Sequence, residues 1–588
     1  MVSQRYPHLF SSITIGNMTV RNRIVSTAHA TVFAQDGRPG PALNAYQAEK
    51  AKGGCGLVIC YGSASVHPSS PGKDWGGVEI HDDSIIPYFQ KAAEAVHQYG
   101  AKIISQISHR GRRGTTDLYW QALLAPSPIP ERSHRETPHQ MEIEDILMIV
   151  EAYGQAARRV KEGGFDGVEI LMGGGHLPEQ FFSPFSNRRD DEYGGSLENR
   201  MRFAFQVLDS VRAKVGQDFV VGIRLTGDEL IEGVISKNSL KWPTIWKWVN
   251  LMGEEFIEKA LGLDVYVEIA KRLATTGKID YINVVGGTTE YLGGQSAAVP
   301  PSFFAPGSFV YQSVAIKEVV DIPVIAVGRI LDPLQAERIL AEGQADLVAM
   351  TRALIADPEM PKKAMEGRLD DIRPCVGNNQ GCVGRLFGGK PITCIHNPVI
   401  GREEELAVIE PAAQKKRVVV VGGGPAGLEA ARVAAIRGHE VVLFEKGREL
   451  GGQIRTMANA PGREEYISIS DWLINQVKKL GVDIRLGVEA TPQAVKQEKP
   501  DAVVVAAGST PLPPSVSDIE NIQLTYPEDV LMERVTVGDK VLIIDEDNHH
   551  KGPATAEFLT ERGKEVEIVS SMFTIGEDID LSTKPVVY

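Results

Sequence analysis

Short apolar runs rich in Val, Ile and Leu recur through the first 350 residues, each followed by a longer stretch in which apolar positions repeat with helical spacing. The runs fall at 23–27, 57–61, 102–107, 167–171, 220–225, 281–285, 323–327 and 346–350. Runs of this length read as buried strands, and eight of them joined by helix-length connections predict a (β/α)8 barrel. In that architecture the chemistry gathers where strands run out into loops. The residues there are polar: Thr27 to His29, Tyr61, Gln106 with His109, His176, Arg224 with Asp228, and then Arg329 and the pair Thr351-Arg352. Any one of them could merely cap a strand, but polar strand ends in register point to a site. An Arg after each of the last two strands suits a phosphate.

The period changes after residue 411. A strand pattern over 417–421 runs into Gly422-Gly-Gly424-Pro-Ala426-Gly427 and a helix, and a second strand, 440–445, ends in Glu445. Glycines at these spacings let backbone N–H groups approach a pyrophosphate at the helix start, and the acid can accept from ribose hydroxyls. Gly451-Gly452-Gln453 follows, and 503–508 reads as a later strand and turn. A second βαβ unit is legible from 539 to 569, but its turn, 545–552, has no glycine where a phosphate would approach and carries three acids. It reads as a nicotinamide-type unit that has lost its nucleotide. No later strand returns to complete the first dinucleotide unit, so the chain reads as truncated after Tyr588. The expected divisions are a barrel over 1–370, a cysteine segment and linker over 371–411, a Rossmann-like domain over 412–534, and a degenerate, incomplete subdomain over 535–588. One segment, 234–262, breaks the barrel period and crowds Trp242, Trp246 and Trp248 into seven residues; it is either a partner surface or an insertion folded onto the barrel.

A length of 588 residues, 43% hydrophobic and 23% charged, is that of a multidomain globular enzyme. A net charge of −14 argues against nucleic-acid binding and against a polybasic membrane anchor. No signal core or spanning run is present in the sequence, which predicts a cytoplasmic protein without membrane insertion. Of five cysteines, Cys55 and Cys60 lie by a strand and read as core thiols, whereas Cys375, Cys382 and Cys394 fall within twenty residues between the two cofactor-type modules. Thiolates bunched in this way usually hold a metal or an iron–sulfur cluster. Asn378 stands where a Cys-x-x-Cys pair would place its second thiol.

Barrel, cysteine segment and dinucleotide domain in this order resemble the multidomain Old Yellow Enzyme-like flavoproteins, which include 2,4-dienoyl-CoA reductase, trimethylamine dehydrogenase and the N-methyl amino-acid demethylases. The matching stretches include Gln106-Ile-Ser-His109-Arg-Gly-Arg112, 180–190, Tyr193-Gly-Gly-Ser-Leu-Glu-Asn-Arg200, Arg224-Leu-Thr-Gly-Asp228, Ala326-Val-Gly-Arg329 and Thr351-Arg352. The resemblance implies FMN in the barrel, a [4Fe–4S] cluster held by Cys375, Cys382 and Cys394 with Asn378 in the fourth position, and FAD or ADP in the second half. It puts Thr27, Ala28, Gly62, Gln106 and Arg224 around the isoalloxazine ring and Arg329, Thr351 and Arg352 on the phosphate. Gly422, Gly424, Ala426, Gly427, Glu445, Gln453 and Arg463 fall to the adenine nucleotide.

The departures narrow the choice. Ala28-His29-Ala30 offers no thiol for covalent attachment, so the resemblance implies non-covalent FMN. Gly174-Gly175-His176-Leu177 replaces the reductases' Gly-Tyr-Leu and looks like the demethylase branch. The expected activity is oxidative N-demethylation of a small N-methylated amine or amino acid, of N-methylproline or dimethylglycine type, releasing formaldehyde. Electrons would pass to an electron-transfer flavoprotein or similar acceptor. His176 is expected to position substrate or move a proton, with His109 second, and Tyr61 and Tyr281 to face a cationic amine. The alternatives are an enoate or dienoyl-CoA reductase driven by NAD(P)H and a non-catalytic electron-transfer subunit. A homo-oligomer is compatible with the sequence.

Overall fold

A computed structural model of the chain describes residues 5–70, 72, 76–116, 120–131, 134–230, 260–289, 292–513 and 522–587. The tryptophan-rich segment at 234–262 lies almost wholly outside them. Eight parallel strands close into a barrel in sequence order: β1 Ile24–Ser26, β2 Leu57–Ser65, β3 Lys102–Ser108, β4 Gly167–Met172, β5 Val220–Asp228, β6 Tyr281–Gly286, β7 Val324–Ala326 and β8 Leu347–Ala349. The expected barrel is therefore present, with β2 and β5 running further than their apolar runs.

The barrel floor is a layer of alternate inward side chains, among them Val25, Leu57, Ile59, Ile104, Val220 and Leu347. Ile15, Met18 and Val20 of an N-terminal hairpin close it from below. The outer layer forms because the connecting helices carry apolar stripes. In α1 Pro41–Lys52 the buried positions include Leu43, Tyr46, Gln47 and Lys50. In α2 Ile86–His97 they are Phe89, Ala92, Ala93 and Val96, an i, i+3, i+4, i+7 set. The long helix α3 Ile143–Glu162 opens on a capping box in which Glu142 and Asp145 exchange bonds with each other's backbone.

The second half holds a four-stranded parallel sheet, β9 Arg417–Val421, β10 Glu440–Glu445, β11 Asp483–Leu486 and β12 Ala502–Val505, in the spatial order β11-β10-β9-β12. Helix α4 Pro425–Ile436 follows β9, and α5 Ile467–Lys479 packs on α4 through Leu473 and Val477. The later unit pairs β13 Lys540–Asp545 with β14 Glu565–Ser570 across helix α6 Lys551–Thr560.

Each half grips the other through polar contacts. Trp472 on α5 donates its indole N–H to the Asp371 carbonyl at 3.1 Å, and Lys479 reaches the Asp371 carboxylate at 2.8 Å. Arg329, just past β7, pairs with Glu465.

The three fingerprint glycines do three different jobs. Gly422 turns with φ +108, and a Cβ there would lie 2.2 Å from the Ala506 carbonyl oxygen. A Cβ on Gly427 would lie 1.9 Å from the Gly422 oxygen, which makes Gly427 the close-packing contact between helix and turn. At Gly424 the nearest atom is 3.9 Å away, so this position opens outward instead. Gly427→Ala should therefore destabilise the second half by about 2–3 kcal/mol, whereas Gly424→Ala should change stability by less than about 0.5 kcal/mol. Denaturant unfolding of the two variants beside the parent chain measures the contrast.

Candidate active site

β2 does not run straight into the barrel mouth. Tyr61 (φ +60) and Ser63 (φ +62) both adopt left-handed backbone, and the β2–β3 ladder shifts register between Cys60 and Ala64. A bulge of this kind re-aims side chains, and non-glycine residues in this region cost about 1–3 kcal/mol each, which points to a functional reason for keeping them. The bulge corrects one expectation. The Tyr61 ring is turned onto the barrel's outer layer, stacked on Phe89 at 5.6 Å and 12° and lying 6.0 Å from Phe165, so it does not face a substrate. Tyr281 also fails as a substrate face, because it starts β6 at the barrel floor, fully buried, with its hydroxyl donating to Glu169 at 3.1 Å. Gly62 is required by packing, since a Cβ there would meet the His29 carbonyl carbon at 2.4 Å.

The same bulge delivers a residue that the apolar pattern did not single out. The Ser63 N–H donates to Gln106 Oε1 at 3.1 Å, and Ser63 Oγ lies 2.8 Å from His176 Nε2. Below them sits Glu169 in the middle of β4, fully buried. Its carboxylate accepts from Gln106 Nε2 (2.8 Å), Asn283 Nδ2 (2.9 Å) and Tyr281 Oη (3.1 Å). Burial raises the Glu169 pKa, opposed by Arg224 and by these donors. Arg224 in turn donates to the Ala28 carbonyl at 3.1 Å, and Thr27 is fixed to Thr351, whose hydroxyl takes the Thr27 N–H at 2.8 Å. Thr27, Ala28, Gln106 and Arg224 are thus joined across the mouth.

The histidines separate into two roles. His109 is fully buried; its Nδ1 accepts the Gly111 N–H at 3.0 Å, so its Nε2–H donates to Ser69 Oγ at 3.0 Å. Both nitrogens are consumed inside the protein and burial lowers its pKa to about 3, which removes His109 from the proton-transfer candidates. His29 is also neutral, held between the Thr27 carbonyl and the Tyr46 hydroxyl, with its pKa lowered to about 3 by burial. His176 caps the short helix Leu177–Phe182 beside the mouth. Its Nδ1 lies 3.0 Å from the Gly173 carbonyl and 3.4 Å from Arg113 Nη1; the shorter contact makes Nδ1 the donor and leaves Nε2 as acceptor for the Ser63 hydroxyl. Burial first, then Arg113 and Arg110, hold its pKa well below 6.5.

The two arginines expected on a phosphate also reach other partners. Arg329 gives its guanidinium to the Phe304 carbonyl and Glu465, and Arg352 donates to the Pro300 carbonyl (2.7 Å) and Asn379 Oδ1 (2.8 Å). Their side chains tie the barrel mouth to the cysteine segment and the second half. Cys375, Cys382 and Cys394 line one cavity with Arg352. Burial, opposed by Arg352, pushes the Cys382 thiol up to about 12. Asn378 does not complete the set, because its Nδ2 donates to Tyr466 Oη at 2.9 Å and its Oδ1 accepts the Gln380 N–H at 3.0 Å. Among the described residues no three His, Cys, Asp or Glu converge on a single ion. Three thiols on one cavity are the donor type that an iron–sulfur cluster takes. Cys55 and Cys60 are core thiols, as expected.

In the second half, Glu445 accepts the Gly423 and Gly447 N–H groups at 2.7 and 2.6 Å, placing its carboxylate against the fingerprint turn. Ala426 and Gln453 sit exposed at the starts of two neighbouring helices, beside the open position at Gly424. Arg463 is not part of that cradle: its guanidinium is buried 5.1 Å over the Phe303 ring and 3.3 Å from His550 Nδ1. In the later unit, the Asp545 carboxylate accepts the N–H groups of Asp547 and Asn548 at 3.2 and 3.1 Å, filling its own turn.

Residues 8–371 match the NADH:flavin oxidoreductase / NADH oxidase family. The chain belongs to that family. Residues 416–580 match the pyridine nucleotide-disulphide oxidoreductase family. The N,N-dimethylglycine/sarcosine dehydrogenase of Chromohalobacter salexigens is 42% identical over 99% of this chain and 81% of its own. A Rhizobium meliloti protein described as "Probable N-methylproline demethylase" is 38% identical over 96% and 79%. A solved 2-naphthoyl-CoA reductase in complex with 2-naphthoyl-CoA superposes with a TM-score of 0.89, 32% identical over 99% of this chain and 86% of that one. The protein is an FMN-dependent oxidoreductase of Old Yellow Enzyme-like type, with a barrel followed by a dinucleotide-binding domain. Among the described residues no helix is long and apolar enough to cross a membrane.

The neutral buried imidazoles set a pH dependence. With folded pKa values of about 3 for His29 and His109, the unfolded chain binds more protons in acid, so stability falls as pH drops from about 6.5 toward 3. Each should cost about 2 kcal/mol at pH 5 relative to pH 7. Urea unfolding at the two pH values tests it, and equal midpoints would show that these rings are accessible to protons.

Proposed function

We propose that the protein is a dehydrogenase that removes an N-methyl group from a small amine or amino acid of dimethylglycine or N-methylproline type. In the net change, the N-methyl amine and one water give the demethylated amine, one formaldehyde, two electrons and two protons. The observation that carries this reading is the self-filled turn at Asp545. Unlike the glycine turn at 422–427, this turn carries three acids and no glycine where a phosphate would approach, and Asp545 fills it, which makes it a poor cradle for the phosphates of NAD(P)H, so electrons enter from substrate. The 42% identical dimethylglycine/sarcosine dehydrogenase supports the same direction.

FMN, when bound, supplies the hydride acceptor. Gln106, Arg224, Thr27 and Ala28 are the residues that would hold its ring, with Gln106 and Arg224 oriented by Glu169. The low pKa of His176 makes it a poor proton acceptor, so of its two expected roles positioning is the supported one. By taking the Ser63 hydroxyl hydrogen, His176 leaves the lone pairs of Ser63 Oγ to receive the N–H of the ammonium form in which a tertiary amine first binds, before it loses that proton and then hydride. Cys375, Cys382 and Cys394 would hold a cluster that supplies one-electron transfer to an acceptor such as an electron-transfer flavoprotein. The cradle at Gly424, Glu445 and Gln453 would take one adenine nucleotide, FAD or ADP.

Anaerobic titration of the FMN-loaded chain with N,N-dimethylglycine, sarcosine and N-methylproline should bleach the flavin and release one formaldehyde per flavin reduced. Bleaching by NADPH together with alkene reduction, and none by the amines, would instead establish the reductase reading that the naphthoyl-CoA reductase likeness favours. Ser63→Ala should lower kcat/KM for the amine by about 10–100-fold, the value of one hydrogen bond to a charged or reacting group. Chromatography of nucleotides released by denaturation should find FMN and one adenine nucleotide per chain; FMN alone would remove the second-half assignment.

A further inference from the structure

Beside the Ser63–His176 pair, the rim of the mouth holds a cation without a counter-ion. Arg113 follows β3 and is half-buried against the loop that carries His176. Its Nη1 donates to the Gly174 carbonyl at 2.9 Å. The same Nη1 lies 3.4 Å from His176 Nδ1, but that nitrogen donates to Gly173, so two donors face each other and no hydrogen bond forms. Arg113 Nε is buried without a partner. A guanidinium carries five N–H donors, and here a single carbonyl accepts from it. Among the described residues neither a carboxylate nor an aromatic ring pairs with Arg113. Glu131 feels its charge, yet Glu131 Oε2 is taken by His134 Nδ1 at 2.6 Å.

The loop under Arg113 is held from both sides. Gly174 gives its N–H to Thr226 Oγ1 at 3.0 Å, and its carbonyl also accepts from Thr289 Oγ1 at 2.6 Å, which ties it to the ends of β5 and β6. Apart from its chain neighbours, a Cβ on Gly174 would meet nothing nearer than His176 Nδ1 at 3.7 Å, so the space over the loop is open. One imidazole separates Ser63 Oγ from Arg113 Nη1, its nitrogens 2.8 and 3.4 Å from them, which puts the two at most about 8 Å apart. An α-amino acid has its nitrogen and carboxylate about 3 Å apart, and with a hydrogen bond at each end it spans the same interval. A guanidinium in want of acceptors is the side chain best shaped to take a carboxylate, by two parallel N–H bonds.

We propose that Arg113 recognises the substrate's carboxylate, so that the substrate is an N-methyl α-amino acid and not a simple methylamine. Ser63 takes the nitrogen end and Arg113 the carboxylate end, with His176 between them. The substrate class rests on the demethylase reading, whereas the carboxylate site itself is measurable without turnover.

Isovalerate has the shape of N,N-dimethylglycine with carbon in place of nitrogen, so it keeps the carboxylate and cannot be demethylated; isovaleramide lacks the charge. Isothermal titration of the FMN-loaded full chain should find one isovalerate per chain and at least about tenfold weaker binding of isovaleramide. Isovalerate should bind at least about tenfold more weakly to Arg113→Gln, with Arg113→Lys in between. FMN content and the urea midpoint of each variant, compared with the parent, check its folding. In turnover the parent should favour N,N-dimethylglycine over N,N-dimethylglycinamide by about 10–100-fold in kcat/KM, mostly through KM, and Arg113→Gln should bring that ratio toward one. Equal binding of isovalerate and isovaleramide by the parent, isovalerate binding untouched in Arg113→Gln, or no isovalerate binding at all would each overturn the proposal. Isovalerate binding that depends on Arg113, with a flavin that no N-methyl amine reduces, would support the carboxylate site and overturn the demethylase reading alone.

Discussion

The barrel site depends on one buried carboxylate. Glu169 is fully enclosed and takes three donors from β3 and β6, with Arg224 of β5 nearby to offset its charge. A carboxylate sealed in an apolar barrel costs several kcal/mol unless its lone pairs are filled, so once Glu169 is there its partners have little freedom. Gln106 is pinned by its amide nitrogen, which turns Oε1 toward Ser63. Ser63 is thereby held by its backbone N–H, which aims its hydroxyl at His176. Order therefore passes from a rigid strand to a mouth loop through four side chains, the means by which a site is kept within a fraction of an ångström of its working geometry.

That chain of bonds explains why two left-handed residues persist in β2. A regular strand would alternate Tyr61 and Ser63 onto the same face, and only one face is free of the outer helices. The bulge separates them: Tyr61 joins the Phe89–Phe165 packing, and Ser63 turns to Gln106 and His176. The strain at Tyr61 and Ser63 is offset by an aromatic contact on one side and two hydrogen bonds on the other.

Periodicity made the eight strands, the fingerprint glycines and the second βαβ unit legible, because parallel strands buried on both faces must be continuously apolar and a close phosphate approach calls for glycine. Glu169 had a readable signal, a lone acid inside such a strand, and Gly62 another, since a glycine within a strand pattern often marks a bulge. The further partners of Arg329 and Arg352 had none. Their chain positions are those of phosphate ligands, and Glu465, Phe304, Pro300 and Asn379 share the guanidinia. Those partners come from segments far away in sequence or in loops without a period, and no local pattern announces them. Tyr61 and His109 failed for the same reason: sequence locates a strand end, but the bulge and the neighbouring Ser69 decide where the side chain goes.

The contacts of those arginines join the two halves. Arg329 follows β7 and holds Glu465; the next residue, Tyr466, bonds Asn378 in the cysteine segment; and Asn379 bonds Arg352 just past β8. The path closes a loop from the barrel mouth through the second half and the cysteine segment back to the mouth. Asn378 is a poor metal ligand but a good spacer here, since its amide nitrogen satisfies Tyr466 and its side-chain oxygen satisfies the Gln380 N–H. A cysteine at 378 could make neither bond with comparable strength, because a thiol is a weak donor and acceptor. The residue that interrupts the cysteine spacing thus strengthens the joint between the two halves: it withholds a thiolate from the cysteine segment and adds a hydrogen bond to the interface.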